Sequence, residues 1–170
     1  MITKLHTKSF GGFTLIEVVL YLAILSTLVF SLSSCVSLIS NARVKNQTMA
    51  EVGGQALQIV QVLNRIIHDA QSVTTPTVGD EQQSLSLVDS DDNPVTVTLT
   101  DGSITINRGS GAESLHNDRI TASNVEFKNL SRPGTPDIIQ INFTLSYKND
   151  FSNSIYDYSK TYVSAVRLYK

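Results

Sequence analysis

Glu17 is the residue whose chemistry most needs explaining. It is the lone charge in an otherwise apolar segment, residues 13–39. A carboxylate at membrane depth is expensive and normally marks a functional partner. Here a partner can be named. Gly11-Gly12 immediately precedes Phe13-Thr14-Leu15-Ile16-Glu17. A cut after Gly12 would make Phe13 the N-terminus, with its amine one helical turn from a carboxylate of the Glu17 type. An ordinary secretory signal has its small-residue cleavage site after the apolar region. In this chain the small residues come before it.

The rest of the chemical inventory is thin. His6, His68 and His116 are dispersed, and His68 reads as too close to Asp69 in sequence for the two to face each other. There is no nucleophile elbow, no Gly-rich phosphate loop and no metal-spaced Cys/His set. The expectation is a protein with no catalytic residue and no cofactor. Asp89, Asp91 and Asn93 alternate like the first ligands of a calcium loop. Pro94 stands where that loop needs its tight-turn Gly, and the twelfth position is Thr100 rather than Glu. They remain a weak metal candidate, and an acidic β-turn is the better reading. Arg108, Arg119, Lys128, Arg132, Lys148, Lys160, Arg167 and Lys170 are scattered among acids. Tyr156, Tyr158, Tyr162 and Tyr169 read as strand packing and edge surface rather than a base-stacking platform. Cys35 is the single cysteine, so an intramolecular disulfide is excluded. It reads as a small apolar residue facing lipid or another helix.

These residues need elements to position them. The chain has 170 residues and a net charge of −2, with Lys4 and Lys8 near its start. That charge gives no global basic footprint for nucleic acid. Residues 1–12 read as a leader and 13–40 as the transmembrane half of a long helix, with Lys4 and Lys8 held inside by the positive-inside tendency. Ser26, Thr27, Ser31, Ser33, Ser34 and Ser37 would permit close helix approach there. Residues 41–75 read as the amphipathic half. Val52, Ala56, Ile59, Val60, Leu63, Ile66, Ile67 and Ala70 form its apolar stripe, and Pro76 ends it. Gly53-Gly54 marks an expected bend or thin point.

Residues 76–170 read as a single β-sheet head of five or six strands. Candidates are 84–88, 95–100 with 104–106 across an Asp101-Gly102 hairpin turn, 120–130, 139–145 and 156–168. Residues 107–118, 131–136 and 149–153 read as loops or turns. The predicted class is α+β: a long N-terminal helix packed on an antiparallel sheet.

The opening run resembles the class III leader of type IV pilins and of the pseudopilins of type II secretion and DNA-uptake machines. The match is carried by Lys8, Gly12, Phe13, Thr14-Leu15-Ile16 and Glu17, the fifth residue after the cut. It covers about residues 8–40, and beyond them the similarity is one of architecture. The resemblance implies that a prepilin peptidase cuts Gly12–Phe13 and methylates the Phe13 amine. It implies a single-pass inner-membrane protein with its head outside, extracted by an assembly platform and ATPase into a filament of pilins. Glu17 would there pair with the Phe13 amine of an adjacent subunit. Two features depart from many family members: Ser34 stands where a helix-loosening Pro is often found, and no C-terminal disulfide is available. The lean is toward a minor pilin or pseudopilin. Some minor pilins of competence systems bind DNA, so a DNA-binding tip pilin of a transformation system is the alternative.

Overall fold

The computed structural model describes residues 12–109, 111–132, 134–149 and 156–169. The readings on Lys4, His6, Lys8, Gly11, Pro133, the loop over 150–153 and Lys170 lie outside the described residues. The described elements are one helix, α1 (Leu15–His68), and nine strands. The strands are β1 (Ser72–Thr75), β2 (Glu81–Gln82), β3 (Leu85–Val88), β4 (Pro94–Thr100), β5 (Ser103–Asn107), β6 (Ala112–Ser114), β7 (Ile120–Asn129), β8 (Ile138–Tyr147) and β9 (Ser159–Arg167). The class is α+β. Two compact units divide the chain, Met1–Ala42 and Arg43–Lys170.

In the first unit α1 starts on a threonine cap. Thr14 Oγ1 accepts from the Glu17 amide at 3.4 Å. The Thr14 carbonyl accepts from Glu17 N at 3.1 Å and Val18 N at 3.2 Å. Residues 15–39 contain neither Pro nor Gly, so nothing interrupts the backbone ladder. The hydroxyls of Ser26, Thr27, Ser34 and Ser37 turn back onto the carbonyls of Ala23, Ile24, Phe30 and Ser33. They therefore offer no unpaired donor to apolar surroundings. Every large apolar side chain from Phe13 to Ile39 is exposed, as is Cys35. This stretch makes α1 long and apolar enough to cross a membrane.

In the second unit α1 passes through Gly53-Gly54 without interruption. Its buried residues are Thr48, Val52, Ala56, Ile59, Leu63 and Ile67, spaced by three and four. Thr48 joins this apolar stripe because its hydroxyl donates to the Val44 carbonyl at 3.1 Å. Val60 and Ile66, expected in the stripe, are only partly buried. The helix stops at His68, short of the expected 75. Val73-Thr74-Thr75 are β-branched and belong to β1, which pairs with β3.

The expected single sheet is two. A five-stranded sheet has the order β1-β3-β4-β5-β6, and a four-stranded one has the order β2-β7-β8-β9. All pairings are antiparallel. Three short strands were not anticipated: β1, β2 and β6, the last inside the expected 107–118 loop. The last strand begins at Ser159 rather than at Tyr156. In β8 Ile139, Ile141, Phe143 and Leu145 are buried in strict alternation. Buried positions in β7 switch from Ile120 and Ala122 to Val125 and Phe127. The register shift between Ser123 and Glu126, with Asn124 at φ 50°, keeps both halves facing the core. The core joins the helix stripe to residues of both sheets, with Phe127 and Phe143 its largest fully buried side chains.

The hairpin turn matches its expectation, with Asp101 at φ 51° and Gly102 at φ 74°. Gly102 has a second constraint. Its carbonyl accepts from Ala122 N at 2.7 Å, and a Cβ added there would lie 2.8 Å from Thr121 Cγ2. Gly102→Ala is expected to lower stability by about 1–3 kcal/mol in thermal unfolding. An unchanged melting temperature would contradict this placement.

A buried polar knot fastens the end of β7. Asn129 Nδ2 donates to the Pro76 carbonyl at 3.0 Å. Its Oδ1 accepts from the Ser131 amide at 3.0 Å and from the Ser131 hydroxyl. Ser131 Oγ in turn accepts from Ile138 N at 2.9 Å. Asn129→Ala would leave buried groups unpaired, so a loss of about 2–4 kcal/mol is expected in denaturant unfolding. A loss below about 0.5 kcal/mol would show that water replaces these bonds.

Candidate functional site

The site lies at the start of α1, within the first compact unit. Gly12 is exposed, and a Cβ there would meet nothing within 4 Å. Phe13 is 74 % exposed. Glu17 is partly buried, and its Oε1 accepts a hydrogen bond from Tyr21 Oη at 3.1 Å. The rings of Phe13 and Tyr21 meet edge to face, with centroids 6.3 Å apart and planes at 75°. Glu17 and Tyr21 are four apart in α1, so they fall on one stripe, and Phe13 lies just before the Thr14 cap.

The capping role of Thr14 and the part played by Tyr21 are additions of the structure. Thr14-Leu15-Ile16-Glu17 has the spacing of a capping box, with a Thr cap and an acid at the third helical position. Glu17 therefore also favours the helix N-terminus electrostatically. Tyr21 lies within an otherwise apolar run of the sequence. Its spacing of four from Glu17 was the available signal.

The other candidates lie in the second compact unit. Asp89 Oδ1 accepts from the amides of Asp91 and Asn93, each at 2.9 Å, in a turn between β3 and β4. The Asn93 amide, aided by that of Asp91 and by the Arg108 charge, holds the Asp89 carboxyl below its ordinary value. Asp92 adopts φ 63° in this turn. Among the described residues no group of three or more His, Cys, Asp or Glu is placed to hold a metal. His68 and Asp69 do pair, at 3.0 Å, against the expectation that neighbours could not meet. The pair forms at the C-terminal end of α1, which closes at His68. His68 also stacks on Tyr169 at 5.4 Å. His116 is buried, with Nε2 accepting from Ile104 N at 3.2 Å and Nδ1 facing the Asn117 carbonyl at 3.0 Å. That arrangement places its proton on Nδ1 and makes it a tie for β5.

The cations are dispersed, and among the described residues two of them, Arg119 and Lys128, meet acids. Arg119 lies 3.7 Å from Glu51, and Lys128 lies 3.1 Å from Glu81. Arg65 and Arg108 line a cleft with Asp69, Asp89 and Asp91. Tyr158 and Tyr162 pack against the core, and burial pushes the Tyr162 hydroxyl up from its ordinary pKa. Comparison with protein-family models, characterised proteins and solved structures finds no match to this chain.

Proposed function

We propose that this chain is a structural subunit of a type IV pilus-like filament, a minor pilin or pseudopilin, and not an enzyme. One observation carries the reading. Gly12-Phe13-Thr14-Leu15-Ile16-Glu17 opens a threonine-capped helix whose large apolar side chains are all exposed through Ile39. Exposed apolar surface of this extent requires lipid or other helices. In the membrane-bound precursor it faces lipid, with residues 1–12 inside and the head outside. In the filament it faces other pilins.

The reading assigns roles to named atoms. A prepilin peptidase cuts the Gly12–Phe13 bond, and the Phe13 amine is then methylated. The Glu17 carboxylate pairs with the Phe13 amine of an adjacent subunit. Such a pair in apolar surroundings adds register more than stability, because a misregistered subunit leaves the charge unpaired.

Mass spectrometry of the membrane form is expected to show a chain starting at Phe13, carrying one N-methyl group. Gly12→Ala should slow or block the cut. Space around Gly12 is open, so that loss would reflect recognition by the peptidase and not a clash. An intact N-terminus in cells with active prepilin peptidase would overturn the reading. A DNA-binding tip pilin makes a different prediction, a salt-dependent shift of DNA by residues 41–170. The cation–acid pairs of Arg119 and Lys128 favour the assembly role.

A further inference from the structure

The one polar contact among the side chains at the start of α1 that the subunit reading leaves unused is the bond from Tyr21 to Glu17. We infer that Tyr21 is a positioning residue for subunit pairing: its hydroxyl holds Oε1 of Glu17 and leaves the second oxygen, Oε2, to meet a neighbour's amine. This inference rests on the pilin reading and adds to it a partner for Glu17 within the same chain.

Three observations support it. Tyr21 Oη lies 3.1 Å from Glu17 Oε1. The Tyr21 ring is braced by the Phe13 ring at 6.3 Å, so its direction is set by packing as well as by the bond. The Glu17 amide is held by Thr14, which fixes the backbone from which the carboxylate projects. A carboxylate has capacity for several donors, and one hydroxyl satisfies only part of it. In an apolar segment an unpartnered carboxylate oxygen is costly, while a neutral hydroxyl carries little desolvation cost of its own.

The arrangement has a consequence for the order of events. Before assembly Tyr21 supplies the only side-chain hydrogen bond to Glu17 among the described residues. It limits the cost of holding the carboxylate in the membrane. Oε2 therefore remains available for an ammonium group. Because Tyr21 fixes the side-chain rotamer, the incoming amine meets an oriented oxygen and less rotamer freedom is lost on pairing.

Tyr21→Phe tests this without disturbing packing, since the ring that braces Phe13 is kept. Two readouts are taken on the full-length protein. In phosphatidylethanolamine–phosphatidylglycerol vesicles, solid-state NMR follows the Glu17 carboxyl carbon, identified by its loss in Glu17→Gln. In cells, cutting at Gly12–Phe13 and incorporation into filaments are quantified together under limiting supply. The expected result is a displaced Glu17 carboxyl resonance, normal cutting and about a fivefold fall in incorporation. An unmoved resonance overturns the inference. So does normal cutting with incorporation equal to the native chain, which leaves the pilin reading intact. Failure of the native chain to be cut overturns the pilin reading and this inference with it.

Discussion

Leu63→Asp is expected to unfold the head. Leu63 is fully buried in the second half of α1, where the helix stripe meets the cores of both sheets. Burial of such a side chain contributes about 1.5–3 kcal/mol. Its replacement also places a carboxylate against Ile, Val and Phe side chains with no partner, which adds several kcal/mol more. The combined loss, about 5 kcal/mol or above, is comparable to the whole stability of an ordinary domain. Thermal melts of residues 41–170 should therefore show little or no cooperative transition for this variant.

The neighbouring positions sharpen that test. Ile66 is only partly buried, so Ile66→Asp can let its carboxylate reach water and should cost less, about 1–2 kcal/mol. Gln61 is exposed, and Gln61→Asp should stay within about 0.5 kcal/mol of the native protein. The order Leu63, Ile66, Gln61 is the prediction. Equal melting temperatures for all three would mean that the sheets find their cover elsewhere.

What could be read from the sequence follows from where burial leaves a periodic signal. The alternation Ile139, Ile141, Phe143, Leu145 is strict because β8 has one face on the core along nearly its whole length. The Asp101-Gly102 turn was legible because few residue pairs tolerate two positive φ angles in succession. The strands that escaped notice lack such signals. Glu81 and Gln82 in β2, and Ala112, Glu113 and Ser114 in β6, are all exposed, so their strand state comes from pairing with β7 and β5. Ser72–Thr75 reads equally as a weak helix end, and only the partner β3 decides it. The division into two sheets was hidden for a related reason. Alternation tells which face of a strand is buried and not which strand lies beside it. At the candidate site the motif from Gly12 to Glu17 was visible at once. The capping role of Thr14 and the bond from Tyr21 were not, because a Thr within a motif and a Tyr within an apolar run give no periodic signal of a polar contact.

Glu17→Val is expected to separate insertion from assembly. Valine is compatible with lipid and with a helix, so the chain should still enter the membrane. The peptide bond between Gly12 and Phe13 is untouched, and cutting should continue. The head should melt as the native protein does, because Glu17 belongs to the first compact unit and contributes no residue to the core of the second. Incorporation into filaments should nonetheless fall by about tenfold to a hundredfold. That is the range expected when a charge-assisted hydrogen bond is removed, and on the proposed pairing the Phe13 amine of the neighbour would also be left without its counter-charge. Glu17→Gln supplies the decisive contrast. It keeps an oxygen that can accept from the Tyr21 hydroxyl but carries no charge for the amine. If pairing of charges drives assembly, the Gln variant should fail nearly as badly as the Val variant. If both incorporate like the native chain when subunit supply is limiting, Glu17 serves only to cap its own helix through the Thr14-Leu15-Ile16-Glu17 spacing.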